Sequence, residues 1–229
     1  MLITISSVLT ADQLAQARRL LGQAQWEDGK ATAGVQSGLA KKNQQLAPQS
    51  AAAREIGAMI LASLAQDALF LSAALPKAIF PPLFNRYGAE ERHSFGNHVD
   101  NGIRYLPDGG GRIRTDLAAT LFLSDPESYD GGDLVIEDTY GAHAVKLPAG
   151  EMILYPASSL HRVEQVVRGE RLAAFFWIES MVRDPGQRSL LLEMDVAIRR
   201  LAEQAGDDAP AIVSLTGCYH NLLRRWADS

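Results

Sequence analysis

Arg171-Leu172-Ala173-Ala174-Phe175-Phe176-Trp177-Ile178 is an apolar run with one cation at its root. Its aromatic content, and the turn Arg168-Gly169-Glu170 before it, make it a strand. Period two then puts Arg171, Ala173, Phe175 and Trp177 on one face. A guanidinium carried into that face needs an anion, because an unpaired buried charge is costly. A planar fork gripping a carboxylate through two parallel hydrogen bonds is the natural match. The plainer reading is an exposed arginine closing the turn beside Glu170.

Outward from this strand, residues 78–179 are short apolar runs separated by turn residues, the pattern of an all-β sandwich or barrel. The clearest strands span 118–123, 133–137, 143–147, 151–155, 162–167 and 171–179. Pro126, Gly131-Gly132 and Pro148-Ala149-Gly150 supply further turns. Helical patterns flank this block. Thr10 and Gln13 form a capping box for a helix running to about Gly22, with Leu14, Ala17, Arg18 and Leu21 on one face. Residues 50–74 read as one more helix. After Pro185, Leu190, Leu191, Met194, Ile198 and Leu201 form one stripe, and Leu215, Tyr219, Leu222, Leu223 and Trp226 another. The expected fold is mainly β with flanking helices: a helical N-terminal region with a polar flap (1–77), a β domain (78–180) and a helical C-terminal region (181–229). The flap, 26–49, carries Gly29, Gly34, Gly38 and the run Lys41-Lys42-Asn43-Gln44-Gln45. It reads either as a plain surface loop or as a carrier of amide groups toward a substrate.

Composition narrows the function. Of 229 residues, 47% are hydrophobic and 21% charged, with a net charge of −5. No general basic field recommends a nucleic-acid partner. The lone Cys218 excludes an intrachain disulfide and suits a reducing compartment, with the cytoplasm as default. The first residues carry no basic, apolar leader pattern. The most apolar window, 58–75, is broken by Gln66 and Asp67 and ends at Pro76, so it reads as a buried helix and not a membrane span.

The chemistry-bearing stretch is Asn97-His98-Val99-Asp100-Asn101. On an extended segment His98 and Asp100 share a face, and a distant imidazole, His161, completes a two-histidine, one-carboxylate facial set. Such a set leaves three positions open on an octahedral ion. With neutral imidazoles and one carboxylate, the site keeps a net positive charge around Fe(II), suited to a dianionic chelator. A metal-binding β-sandwich without turnover, such as a sensor, and a Zn(II) hydrolase with bound water also fit the triad. Arg171 argues against the sensor, which has no use for a carboxylate clamp. The other histidines read as non-ligands: His93 as solvated in a loop, His143, on a strand beside Lys146, as structural or exposed, and His220, near the core stripe of the last helix, as packing or capping. Asp116, Asp130, Asp133 and Asp138 read as strand-end and turn residues.

His98-x-Asp100, His161 and Arg171 together resemble the Fe(II)- and 2-oxoglutarate-dependent dioxygenases with a double-stranded β-helix (jelly-roll) core. Longer blocks narrow the resemblance: residues 114–126 from Arg114-Thr115-Asp116, Tyr129-Asp130-Gly131-Gly132, Lys146-Leu147-Pro148-Ala149-Gly150 and Phe176-Trp177-Ile178-Glu179. They are similar to the bacterial PKHD-type hydroxylases, relatives of prolyl 4-hydroxylase, and the likeness covers nearly the whole chain. It implies His98, Asp100 and His161 as iron ligands and Arg171 on the distal carboxylate of 2-oxoglutarate, helped by Tyr87 and Thr120. The segment from Gly88 to Phe95 is about two residues longer than the family spacing, which changes the reach of Tyr87. The implied reaction uses O2, releases succinate and CO2 and hydroxylates a small-molecule or peptide substrate, with L-ascorbate as reductant. Asn43, Gln44, Gln45, Arg104, Arg112 and Arg114 point to a polar or anionic substrate. The C-terminal helices are expected to pack on the β core or to form a homodimer.

Overall fold

The computed structural model describes residues 1–32, 38 and 40–228. Gly34 of the expected flap lies outside the described residues. In chain order the first strands and helices are β1 (Ile3–Ile5), α1 (Ala11–Gln23), β2 (Trp26–Asp28), β3 (Lys41–Lys42), β4 (Gln44–Leu46), α2 (Ala51–Leu64) and α3 (Ala68–Ala74). The β block comprises β5 (Pro76–Ile79), β6 (Leu83–Gly88), β7 (Ser94–His98), β8 (Ile103–Tyr105), β9 (Arg112–Arg114), β10 (Leu117–Phe122), β11 (Asp130–Gly131) and β12 (Leu134–Asp138). It continues with β13 (Gly141–Val145), β14 (Met152–Pro156), β15 (His161–Val163), β16 (Val166–Arg168) and β17 (Glu170–Ser180). Two helices close the chain, α4 (Pro185–Ala205) and α5 (Pro210–Trp226).

A main sheet in the order β1-β14-β10-β17-β6-β4-β2 faces a smaller sheet in the order β13-β12-β15-β7-β3, all pairings antiparallel. Alternation along the strands sorts the main sheet's side chains. Its outward face (Leu117, Ala119 and Leu121 of β10; Ala174, Phe176 and Ile178 of β17) packs under α1, α2 and α3. Its inward face (Ala118 and Phe122; Phe175 and Trp177; Tyr87; Tyr155) meets Leu134, Ile136 and Val163 of the smaller sheet. The jelly-roll core is therefore a two-layer sandwich with helices on one outer face. The facing expected for Phe175 and Trp177 holds.

Several expectations need correction. Residues 50–74 are two helices meeting at 88°. Asp67 starts the second one by accepting the Phe70 N–H at 2.7 Å, so a capping side chain breaks an otherwise helical pattern. The expected strand 162–167 splits at Glu164 and Gln165, because β16 leaves the smaller sheet to pair with β11. Gly131 permits that crossing: at φ +69° its missing side chain leaves room for the Gln165 carbonyl, which an added Cβ would meet at 2.1 Å. The polar segment is no plain loop either. Its strand β3 extends the smaller sheet and β4 the main one, so it bridges the mouth of the sandwich. In the C-terminal helices Leu191 is buried, and Tyr219, Leu222, Leu223 and Trp226 pack against it with Leu75 and Val182. Leu190, Leu201 and Leu215 of the expected stripes face outward. His220 is exposed rather than packed. No single described helix is long and apolar enough to cross a membrane.

Candidate active site

The open end of the sandwich holds a cavity of about 80 Å³. His98 ends β7 and His161 opens β15, and the two are register partners on neighbouring strands. Their rings lie 4.2 Å apart between centroids, and His161 Nε2 is 3.9 Å from Asp100 Oδ2. One ligand atom from each of His98, Asp100 and His161 falls within 4.8 Å of the others. Each imidazole is also turned correctly. His98 Nδ1 lies 2.8 Å from the Gly96 carbonyl and His161 Nδ1 3.0 Å from that of Ser159. A carbonyl only accepts, so both Nδ1 atoms carry the proton and both Nε2 lone pairs face the triad. Phe95 stacks on His98 at 3.6 Å between centroids and holds its plane. Burial first, then the neighbouring His161, pulls His98 down to about 4, so it stays neutral at physiological pH. Burial pushes the Asp100 carboxyl up, against the pull of His161, Trp177 and Arg104. The set could hold a divalent ion of the kind that takes two imidazoles and a carboxylate.

Arg171, 1% exposed, enters the same cavity from the head of β17. Among the described residues its hydrogen bond is a long one, Nη1 to Asn85 Oδ1 at 3.5 Å. Nε and Nη2 find no partner among the described residues, nor does the nearby Tyr129 hydroxyl. Tyr87 is the cross-strand partner of Arg171, and the guanidinium carbon lies 5.5 Å from its ring centroid. The longer segment after Tyr87 does not displace it. The additional residues form a turn that His93 closes: its Nδ1 accepts the Gly88 N–H at 3.0 Å and its own N–H donates to the Gly88 carbonyl at 3.1 Å. His93 is thus 3% exposed, not a solvated histidine. Burial pushes the Tyr87 hydroxyl up to about 12, which keeps it a donor. Thr120 lines the cavity from the inward face of β10, next to Tyr155. A buried guanidinium with unmet donors, beside tyrosine hydroxyls held protonated, has the chemistry to receive a carboxylate, and it opens into the cavity that holds the His98, Asp100 and His161 cluster.

Comparison with known proteins agrees. Residues 82–179 match the 2OG-Fe(II) oxygenase superfamily and residues 185–228 the PKHD-type hydroxylase C-terminal domain. A PKHD-type hydroxylase of Burkholderia ambifaria is 57% identical over 229 residues, and one of Burkholderia thailandensis 58% over 230, each covering 100% of both chains. The chain belongs to the PKHD-type hydroxylases. Among solved structures, a Pseudomonas putida prolyl-4-hydroxylase shares the fold at TM-score 0.51 and 22% identity, over 78% of this chain and 92% of that one. A prolyl hydroxylase of Trichoplax adhaerens does so at TM-score 0.55 and 13% identity, over 82% and 86%. This hydroxylase is an Fe(II)- and 2-oxoglutarate-dependent dioxygenase that releases succinate and CO2.

The hydroxylase also places residues in or beside the cavity that its sequence did not single out. Tyr155 stands edge-on to His161 at 5.3 Å between centroids, and burial pushes its hydroxyl up. Tyr129 flanks Arg171, and Gly132 makes the space: an added Cβ would lie 3.2 Å from Arg171 Cδ. Lys41, Asn43 and Gln45 of the expected flap do reach the cavity. Arg114, expected on the substrate rim, does not. Its Nε and Nη2 bind both oxygens of Asp116 at 2.7 and 3.0 Å, away from the cavity. Asp116, read as a turn residue, is the partner that removes it. A pair this far from the triad carries no spacing signal in the sequence.

Proposed function

We propose that His98, Asp100 and His161 hold the Fe(II), and that Arg171, flanked by Tyr87 and Thr120, receives the distal carboxylate of 2-oxoglutarate. The carrying observation is Arg171 itself, a fully buried cation whose Nε and Nη2 have no hydrogen-bond partner among the described residues. When bound, the metal and co-substrate supply the O2-activating oxidative decarboxylation. The chain supplies geometry. The Gly96 and Ser159 carbonyls fix the two imidazoles, and Phe95 fixes the plane of His98. Tyr87 keeps its proton and donates. Phe175 and Trp177 wall the cavity against water beyond the triad. We further read L-ascorbate as the reductant that restores Fe(II), the cytoplasm as the location on the strength of the single Cys218, and residues 78–180 as the catalytic domain between N- and C-terminal helical regions. Leu190, Leu201 and Val213, exposed on α4 and α5, are the surface through which a homodimer would form.

The test is succinate formation by purified protein with Fe(II), 2-oxoglutarate, ascorbate and O2. His161→Ala is expected to lose both bound iron and turnover, and Arg171→Ala to recover turnover only at high 2-oxoglutarate. Full iron content in His161→Ala, or an unchanged 2-oxoglutarate requirement in Arg171→Ala, would sink the assignment.

A further inference from the structure

We propose that Tyr129 is a positioning residue for the co-substrate. Its hydroxyl accepts the Arg171 Nε–H and thereby turns the two Nη groups of the guanidinium toward the distal carboxylate of 2-oxoglutarate. The inference rests on the site assignment above and deepens it.

Placement comes first. Arg171 lines the cavity, whereas Tyr129, 0% exposed, is not among the lining residues and stands behind the guanidinium. The two side chains meet over Gly132, at φ +67°: an added Cβ would lie 3.2 Å from Arg171 Cδ and 3.2 Å from Tyr129 Cε2. Cδ is bonded to Nε, and Cε2 to the carbon that bears the hydroxyl. The approach therefore brings the Nε edge of the guanidinium and the hydroxyl end of the phenol to one spot, with no side chain at 132 between them. Burial pushes the Tyr129 hydroxyl up, while Arg171 pulls it down as a charge and as a neighbouring donor, against Asp133.

The second observation is unmet valence. Arg171 Nε and the Tyr129 hydroxyl are both buried, and neither completes a hydrogen bond among the described residues. A donor and an acceptor left unmade side by side cost free energy that a short shift of either one recovers. The donor count then fits the ligand. A guanidinium carries more N–H groups than one carboxylate can use. With Nε on Tyr129 and one Nη1 hydrogen on Asn85, the remaining Nη hydrogens form the planar fork that a carboxylate takes through two parallel bonds.

The third observation is that Tyr129 is itself held in place. Lys146 Nζ donates to the Tyr129 carbonyl at 2.8 Å and to the Gly131 carbonyl at 3.3 Å, and it lies 4.0 Å from the centroid of the Tyr129 ring. Backbone and ring are thus fixed by one cation, and β11, which follows Tyr129, is paired to β16. A phenylalanine would fill the same space. The hydroxyl adds only a polar atom beside Arg171, and it earns its burial by acting on that residue.

Isothermal titration of 2-oxoglutarate into the anaerobic Fe(II)-loaded protein tests this in wild type, Tyr129→Phe, Arg171→Leu and the double variant. Tyr129→Phe is expected to weaken 2-oxoglutarate about 5–10-fold, the scale of one hydrogen bond to a charged group. In succinate formation it should raise KM for 2-oxoglutarate more than it lowers kcat. Arg171→Leu has no Nε–H to hold, so adding Tyr129→Phe to it should cost less than about 2-fold. The stoichiometry of each titration counts the folded sites, so a less stable variant still gives its affinity. Unchanged affinity in Tyr129→Phe makes the tyrosine a packing residue and overturns the proposal. Equal losses with and without Arg171 also overturn it, because Tyr129 would then touch the co-substrate itself. Wild-type affinity in Arg171→Leu fails the site assignment, whereas weakened binding there beside an unchanged Tyr129→Phe fails the Tyr129 proposal alone.

Discussion

The two ends of β17 each sit beside a shielded arginine, and the two arginines live differently. At the tail, Arg114 is saturated. It binds Asp116 bidentately, donates Nη2 to the Ser180 carbonyl at 3.1 Å and lies 3.7 Å from Glu179, while Asp116 also accepts the Ser180 N–H at 2.9 Å. At the head, Arg171 is more deeply buried and has one long contact to an amide. The tail cation ties β9, β10 and β17 together. The head cation makes one long contact to the fold and, on the proposed assignment, receives an anion. Burial differs between them, but unmet hydrogen-bonding capacity is what sets their roles apart.

The strongest way to break this contrast is at the metal. Replacing His161 or Asp100 by Ala is expected to lower succinate formation and iron content by at least about 100-fold, because even supporting groups of metal sites are worth 10–100-fold. Wild-type iron content in either variant would detach the triad from the head of the strand. Next in size is stability. Arg114→Leu strands the Asp116 carboxylate and should cost about 3 kcal/mol in urea unfolding, whereas Arg171→Leu should stay within about 1 kcal/mol of wild type or exceed it. Equal losses in the two variants would erase the distinction between the ends.

How much of this could be read from the residues follows the same line. The facing of Phe175 and Trp177 was legible because strand periodicity is local, and the pairing of His98 with Asp100 in one cavity because the two lie within three residues. Arg171 was legible because a cation at the root of an apolar strand is out of place there. The Arg114–Asp116–Glu179 network was not, since Glu179 joins it from far along the chain. Nor was the burial of Lys41, Asn43 and Gln45: a polar segment looks like a loop until both sheets claim it as β3 and β4. Tyr129 and Tyr155 were missed because a tyrosine in a strand carries no mark telling core from cavity. His93 was misplaced because the turn it closes lies within a segment that spacing showed only to be long.

A finer test concerns what Arg171 waits for. Arg171→Leu should weaken 2-oxoglutarate by roughly 10–100-fold, the worth of about 1.5–3 kcal/mol for hydrogen bonds to a charged group. The same substitution should abolish the rise in melting temperature that 2-oxoglutarate gives wild type, because a ligand stabilises only the state that binds it. Arg114→Leu, in the fraction that folds, should keep both the affinity and the rise. Wild-type 2-oxoglutarate affinity in Arg171→Leu would move the co-substrate elsewhere in the cavity.

The smallest effect separates the ends by pH. Burial first, then His161, lowers His98 to about 4 from an ordinary value near 6.5, with Lys41 adding to the shift and the Gly96 carbonyl opposing it. As pH falls, the unfolded chain takes up this proton before the folded one does. Stability of the metal-free protein is therefore full above about pH 6.5 and declines as pH falls toward about 4. A full displacement of this size would amount to roughly 3 kcal/mol, and a ring that keeps part of its hydration should give about 2 kcal/mol. Urea unfolding of metal-free wild type and His98→Gln across that window measures it, with the slope expected to flatten in the variant. Iron affinity should fall over the same range, since the ligand must be neutral to bind. If His98→Gln keeps the wild-type acid slope, the acid-sensitive group lies outside the triad, and the metal end is no more responsive to pH than the Arg114 end.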